Sequence, residues 1–318
     1  MKIKETIYNL PNEEYHRGKG YIDYLSSTSI KDYLISPKFA RYKQQHPEDF
    51  EISAESAEKG SLYHDAMESL TNTGSLDKWR ENLIVFDPPI NEKTNQPYGM
   101  STNKYQDALS AFQFEYPDKK LTSLSDMKLI ETMVIQLLNN CRTTSKQVKQ
   151  ILKWGKAEVS HFVTYQDCKF KYRPDVETTK KIIDWKTVIA DDLHEDTIIK
   201  IIEKFHYGIS AAFYQFFEHE RTGVWKSFYW VFQQKKAPYD AIMVCADNFA
   251  YKQENGLISM GNDALIFSKL LEQHIYCTQN DDFDGAQIFI QPSFKDRRIM
   301  EPEPPMYSKN KLFNFYNK

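Results

Sequence analysis

The chain has 318 residues, of which 41% are hydrophobic and 27% are charged. These proportions are ordinary for a soluble globular protein and allow a sizeable core. The formal net charge of −3 argues against a generic polycation, although a local basic channel can still bind phosphate inside a mildly acidic protein.

Cysteine spacing and apolar runs exclude further classes of protein. The four cysteines are scattered, and no pair has the close spacing of a zinc or iron–sulfur site. We expect them to be reduced thiols in a cytosol-like compartment. The first 25 residues lack the apolar core of a signal peptide, and no run approaches 18 apolar residues, so we expect no membrane span.

The first half of the sequence predicts helices. Residues 1–24 are expected to form an irregular lead-in. Ser and Thr then precede apolar positions at helical spacing, which predicts a short helix broken before Pro37 and a second helix after it. The remaining elements of this half are a polar loop at 87–103 and helices over 54–72, 103–114 and 123–154.

The hydrophobic period becomes alternating after residue 157. Strands are predicted over 158–165, 168–177, 180–187, 225–234 and 239–248, and helices over 194–220 and 257–276. This order predicts an α/β fold with a mixed sheet and helices on its faces. We expect one domain over 25–280, divided into a helical part (25–156) and a sheet core (157–280). Residues 281–318 would form a C-terminal extension, and its Pro-rich tail at 299–318 would be peripheral or a contact arm.

The stretch 172–187, YRPDVETTKKIIDWKT, carries the strongest candidate site. Asp184 and Lys186 share strand parity and therefore one face, and a bend after Ile183 would bring Asp175 to the same point. Two carboxylates there repel unless a cation lies between them, and oxygen ligands suit Mg²⁺ or Mn²⁺. A lysine beside the metal can position water or stabilise phosphoryl charge. By itself, the pattern also fits a hairpin turn followed by a solvated strand end.

Five ordered stretches resemble the RecE-type (exonuclease VIII) and lambda-type exonuclease branch of the PD-(D/E)xK nuclease superfamily. Together they cover roughly residues 20–250, and they read LSSTSIKDYLISPKFARYK, EKGSLYHDAME, NEKTNQPYG, AEVSHFVTYQDCKFKYRPDVETTKKIIDWKT and HYGISAAFYQFF. The resemblance implies a restriction-endonuclease-like core, with a central mixed sheet flanked by helices and a helical N-terminal portion.

The resemblance also implies a role for each matching residue. The metal ligands would be His64, Glu158, Asp175, Asp184 and the backbone carbonyl of Trp185, while Lys186 would be the catalytic lysine and Glu158 and Tyr214 would assist it. Without the resemblance, a lone helical histidine is usually structural and Glu158 could be a strand-edge charge. The family usually has Gln one turn before the tyrosine. Ser210 stands there instead, and Gln215 points elsewhere, so the sequence departs from the family at this supporting contact.

A nuclease also needs cationic side chains along the path of the DNA phosphates. The candidates for DNA contact are Lys31, Lys38, Arg41, Lys93 and Arg173, although each could simply be solvated. The stretch 146–156, KQVKQILKWGK, is basic as well, but it could equally be the outer face of a helix.

By resemblance, the function is a metal-dependent deoxyribonuclease that uses Mg²⁺, with Mn²⁺ substituting and no iron–sulfur cluster. It would degrade linear double-stranded DNA 5′ to 3′ and leave 3′ tails for recombination or repair. A single-strand annealing protein would be a partner, a ring-shaped homo-oligomer is expected, and the location would be the bacterial host cytoplasm if the chain is phage-encoded. The alternative is an inactive DNA-binding or scaffolding module that keeps the fold; the complete acid–acid–lysine–histidine set favours the enzyme.

Overall fold

The computed structural model describes residues 2–50 and 54–284. The strands are β1 Lys2–Ile7, β2 Leu83–Val85, β3 Ile90–Asn91, β4 Gln96–Pro97, β5 Lys120–Thr122, β6 Lys156–Ala157, β7 Ser160–Tyr165, β8 Cys168–Tyr172, β9 Val176–Glu177, β10 Lys181–Val188, β11 Ser227–Gln234, β12 Ala241–Cys245, β13 Tyr251–Glu254 and β14 Leu257–Met260. The α-helices are α1 Asn12–Arg17, α2 Pro37–Gln45, α3 Ala54–Thr73, α4 Asp77–Asn82, α5 Asn103–Glu115, α6 Leu124–Asn139, α7 Arg142–Trp154, α8 Glu195–Lys204, α9 Tyr207–Thr222 and α10 Asn262–Asn280. Two 3-10 helices span Ser29–Leu34 and Pro47–Phe50.

A five-stranded mixed sheet forms the centre, in the order β12-β11-β10-β9-β6. Strands β10 and β11 run parallel, and the other neighbours are antiparallel. Helices cover both faces of this sheet. The expected α/β fold with a mixed sheet is therefore confirmed.

Strand β10 buries apolar residues on both of its faces. Ile183 and Trp185 pack into a core cluster with residues of α3, α6 and α7. Ile182 and Val188 pack into a second cluster with residues of α8, α9 and α10. Because side chains alternate along a strand, Asp184 shares the face of Ile182, among α8 and α9.

A second sheet, β1-β7-β8, is antiparallel. The chain passes from this sheet to the central sheet between Tyr172 and Val176, and it makes the opposite crossing between Ala157 and Ser160. The single strand predicted over 168–177 is therefore wrong: it is two strands in two sheets. Pro174 lies at the break and has no N–H for a strand ladder.

Other predicted boundaries also differ from the structure. The lead-in contains β1 and α1 rather than irregular chain. The helix predicted over 194–220 is α8 and α9, separated at His206 with φ of 51°. The helix predicted over 123–154 is α6 and α7. The first residues of the helix predicted over 257–276 form β14, the second strand of the β13–β14 hairpin. Of the expected C-terminal extension, residues 285–318 lie outside the described part.

Candidate active site

Two acidic residues lie on the two crossings between the sheets. Glu158 and Asp175 are adjacent, because the Glu158 N–H donates to the Asp175 carbonyl oxygen at 3.2 Å. Glu158 has a φ of 51°, a left-handed conformation that costs a non-glycine residue about 1–2 kcal/mol. Such strain persists only where surrounding contacts impose it, and it is concentrated at functional sites.

Helix α3 brings His64 to these acids. Its Nδ1 lies 3.4 Å from Asp175 Oδ1. The helix is fixed by the buried neighbour Tyr63, whose hydroxyl donates to Gln233 Oε1 on β11 at 2.6 Å. One potential ligand atom from each of His64, Glu158 and Asp175 lies within 4.8 Å of the others. The structure therefore brings together three of the four predicted metal-binding side chains.

Asp184 and Lys186 form the other half of the site. Lys186 Nζ lies 2.5 Å from Asp184 Oδ2, as their shared strand parity predicts. The ammonium group also lies over the Tyr207 ring, 5.0 Å from its centroid. The Asp184 carboxylate is paired with Lys186 and lies outside the three-residue group around His64.

Asp175 reaches β10 because the chain before β9 separates from β10 at this point. The sequence had suggested instead that β10 bends after Ile183. Strand β9 pairs with β10 only at Ile182 and Ile183. Two positions further along β10, the Trp185 N–H donates to Asp175 Oδ2 at 2.5 Å. In this register Trp185 would face Pro174, which has no N–H to offer the Trp185 carbonyl. The Trp185 side chain is 1% exposed, so only its backbone can serve the site.

Burial and neighbouring charges shift the pKa values of the titratable groups at the site. Burial and the Asp175 carboxylate raise the pKa of Glu158 to about 8, although Arg173 opposes the shift. Burial lowers the pKa of His64, but Asp175 outweighs it and raises the pKa to about 9. Burial raises the pKa of Asp184 despite the opposing effect of Lys186. A divalent cation would compete with protons for these groups, and the carboxylate and carbonyl oxygens among them suit Mg²⁺ or Mn²⁺.

Comparison with known proteins agrees with this fold. The sequence model of a family described as "PDDEXK-like domain of unknown function (DUF3799)" matches residues 26–273. The chain belongs to this PDDEXK-like family. A crystal structure from Eubacterium rectale, described as a "putative exonuclease", has a similar fold, with a TM-score of 0.52 and 15% sequence identity; the match covers 93% of this chain and 96% of that chain. None of the curated proteins matches the chain. The predicted superfamily is thus confirmed, whereas its RecE-type branch stays a prediction.

Arg173 of this PDDEXK-like domain is not on an exposed phosphate path, in contrast to the sequence interpretation. It is buried, and its guanidinium lies over the Tyr15 ring at 3.9 Å from the centroid. Its Nη1 lies 3.4 Å from both Glu158 Oε2 and Asn12 Oδ1. Arg173 therefore supplies a countercharge to the candidate ligand Glu158.

The other predicted DNA contacts are in three different places. Lys31 lies at the site: its Nζ donates to the Phe205 carbonyl at 3.3 Å, and burial, with a contribution from Lys186, lowers its pKa to about 8. Lys38 and Arg41 instead face the end of α10, where they lie 3.1 Å from Asp284 and 3.8 Å from Asp281. Lys93 is exposed in the β3–β4 turn.

Tyr214 supports the site through the backbone. Its hydroxyl donates to the Arg173 carbonyl at 3.1 Å, and it thereby holds the crossing that carries Asp175. Gln215 points away, as expected, and its amide donates to the carbonyl oxygens of Lys226 and Tyr251.

Sequence reasoning missed three residues around the site. Tyr15 stacks on Arg173 and Tyr207 lies beneath Lys186. Glu68 is one turn after His64 on α3, and its charge raises the pKa of Glu158, after larger effects from burial and Asp175. The signal for Glu68 was present, because residues four apart share a helix face; the two tyrosines carried no local signal.

A second acidic group lies away from the site and does not fit a metal. His161, Glu177 and Glu218 also have ligand atoms within 4.8 Å of one another. Their two carboxylates are already neutralised by cations: Lys226 lies 3.2 Å from Glu177 and 2.7 Å from Glu218, and Arg221 lies 2.7 Å from Glu218. We call these five residues the buried charge network.

Proposed function

We propose that this PDDEXK-like domain is a metal-dependent nuclease that hydrolyses DNA phosphodiester bonds. One observation carries the proposal: the two sheet crossings and α3 bring His64, Glu158 and Asp175 together. The Asp184–Lys186 pair lies on the adjoining strand. The full set of acids, histidine and lysine is present. His64 and Asp175 are far apart in the sequence, so it is the fold that brings them together.

The residues have separable roles in the proposed reaction. His64, Glu158, Asp175 and the Trp185 carbonyl would hold the cation, and Asp184 would join them. A bound divalent cation lowers the pKa of water and neutralises charge on a phosphodiester. Attack of water on phosphorus would break the P–O3′ bond and leave a 5′-phosphate and a 3′-hydroxyl.

Lys186 would act as a cation in this scheme. Burial lowers its pKa, but Asp184 and Asp175 outweigh that effect and raise it. A lysine held protonated donates hydrogen bonds to water or to a phosphoryl oxygen and offsets developing charge. The neighbouring Lys31 would add a second positive charge to the scissile phosphate.

The finer aspects of the proposal rest on the resemblance of the sequence. The substrate would be an end of linear double-stranded DNA, degraded 5′ to 3′ to leave a 3′ single-stranded tail in recombination or repair. The description of the Eubacterium rectale structure as a "putative exonuclease" supports exonuclease action. An annealing protein as partner, a ring-shaped homo-oligomer, a phage origin and a cytoplasmic location belong to the same proposal. Among the described residues, no helix combines the length and apolar character that a membrane span requires.

The test uses linear duplex DNA labelled at the 5′ or the 3′ end, incubated with Mg²⁺ or EDTA. The wild type should degrade it only with Mg²⁺, and the order of label release gives the polarity. Asp184→Asn and Lys186→Ala should each lower the rate at least about 100-fold. Asp77→Asn is the matched control, since Asp77 is exposed and pairs with Arg80 on α4. DNA binding without cleavage in Mg²⁺ or Mn²⁺ would favour the scaffolding alternative.

A further inference from the structure

Helix α7 presents a basic surface that the proposed reaction does not use. Lys146, Lys149 and Lys153 are exposed and lie at i, i+3 and i+7, within about 60° of one another around the helix. The opposite side of the helix buries Val148 and Ile151 in the core. The helix therefore has one packed face and one cationic face.

Two exposed aromatic rings lie beside lysines at the C-terminal end of this helix. Trp154 is 72% exposed and Tyr8 is 57% exposed. Lys153 Nζ lies 5.0 Å from the Trp154 ring centroid, and Lys156 Nζ lies 5.2 Å from that of Tyr8. We call these six residues the α7 surface: Tyr8, Lys146, Lys149, Lys153, Trp154 and Lys156.

Among the described residues, the α7 surface has no acidic partner. The sequence from 141 to 157 contains no Asp or Glu. Within the described part of the chain, none of its four lysines forms an ion pair with a carboxylate. In a protein of net charge −3, an unneutralised group of cations is a local feature that attracts anions.

The surface is also adjacent to the proposed active site. Trp154 ends α7, and Glu158 follows four residues later, so their Cα atoms are separated by at most about 14 Å. Gly155 makes this close packing possible: a Cβ there would collide with the Val176 side chain of β9. The three lysines on α7 extend over about 10 Å along the helix axis, so they can contact successive phosphates of one DNA strand.

We infer that the α7 surface binds single-stranded DNA, as the tail that emerges from the active site. The inference rests on the proposed nuclease function for the identity of that strand. Lysines bind the phosphates of either DNA form, but exposed aromatic rings stack on bases only where the bases are unpaired. A fully paired duplex would use the cations and leave Trp154 and Tyr8 without a role.

The test measures binding of a fluorescein-labelled 20-nucleotide oligo(dT) in EDTA, between 50 and 300 mM salt. In EDTA the metal centre cannot cut, so the result is independent of the nuclease proposal. Lys149→Gln/Lys153→Gln should reduce the slope of log K against log salt by about 1.4, because each phosphate contact on a single strand contributes about 0.7. Lys200→Gln/Lys269→Gln removes two exposed lysines from α8 and α10 and should leave the slope unchanged.

Trp154 gives a second, direct readout. Trp79, Trp185 and Trp230 are buried and Trp225 stacks on His219, so acrylamide should quench mainly Trp154 fluorescence. Oligo(dT) should protect this fluorescence, and a blunt hairpin duplex should not. Trp154→Ala should weaken oligo(dT) binding about tenfold without changing the salt slope.

The outcomes separate this inference from the proposed function. A changed slope and a protected Trp154 support the α7 surface even if the protein never cuts DNA. Equal slopes in the two double variants, absence of oligo(dT) binding by the wild type, or tighter binding of the blunt duplex would each overturn it. Loss of binding to phosphatidylserine vesicles in Lys149→Gln/Lys153→Gln, with DNA binding intact, would assign the surface to lipid instead.

Discussion

Glu177 of the buried charge network provides a stability prediction with a defined pH dependence. Burial alone would raise the pKa of Glu177, but His161 and Lys226 outweigh it and lower the pKa from 4.5 to about 2. Each pKa unit corresponds to about 1.4 kcal/mol. The ionised carboxylate therefore stabilises the folded protein by about 3 kcal/mol at pH 7.

The sign of the pH dependence follows from the lowered pKa. The unfolded chain takes up a proton on Glu177 near pH 4.5, whereas the folded protein takes it up only near pH 2. The stabilisation is thus fully present above about pH 4.5 and is lost as the pH falls through about 2. At pH 3 less than half of it should remain.

Urea unfolding of Glu177→Gln and wild type at pH 7 and pH 3 checks this. The variant should lose about 3 kcal/mol of unfolding free energy at pH 7 and roughly half as much or less at pH 3. Glu254→Gln is the control: Glu254 is exposed and pairs with Lys252 at 2.7 Å, and its replacement should have no measurable effect at either pH. An equal loss for Glu177→Gln at both pH values would refute a role for the ionised carboxylate.

Three further predictions concern the site and its surroundings. Mg²⁺ at 100 times its Kd should raise the unfolding free energy of the wild type by about 2.7 kcal/mol; a thermal melt of Asp175→Asn should show no such shift, and an equal shift would place the ion elsewhere. Tyr214→Phe should cost about 1 kcal/mol of stability in urea with only a small decrease in kcat, because its hydroxyl holds the Arg173 carbonyl; a loss as large as that of Lys186→Ala would mark it as catalytic. Gly155→Ala should destabilise by about 1–3 kcal/mol, since its Cβ would lie 2.7 Å from the Ile151 carbonyl oxygen; Gly99→Ala, with open space around its Cβ, should be neutral in the same unfolding assay.

The strands with strong apolar patterns could be predicted from the sequence, and those without could not. Strands β10 and β11 bury apolar residues on both faces, so the short apolar stretches at 182–183 and 228–232 identified them. Strand β1 reads KIKETI, lies at a sheet edge and has almost no apolar signal. The break between α8 and α9 at His206 could not be predicted either, since the residue at the break is neither Gly nor Pro.

For the candidate site, the sequence correctly placed Asp184 and Lys186 together because strand parity is a local property. The proximity of His64 to Asp175 was predicted only from the resemblance, because it depends on contacts between residues 111 positions apart. The misinterpretation of Arg173 has a similar cause. Its burial is produced by Tyr15 and Asn12 of α1, a helix that the sequence analysis had expected to be irregular chain.

The alternation of side chains between the two faces of β10 also determines where the chain could tolerate inserted or deleted residues. Deleting one residue between Lys181 and Ile183 would shift the following side chains by one position and exchange their faces. Trp185 would then face α8 and α9, and the charges of Asp184 and Lys186 would enter the apolar core beneath α3. The β3–β4 turn and the β13–β14 turn carry no such constraint, because both are exposed. Length variation among relatives should therefore be concentrated in those turns and be absent from β10.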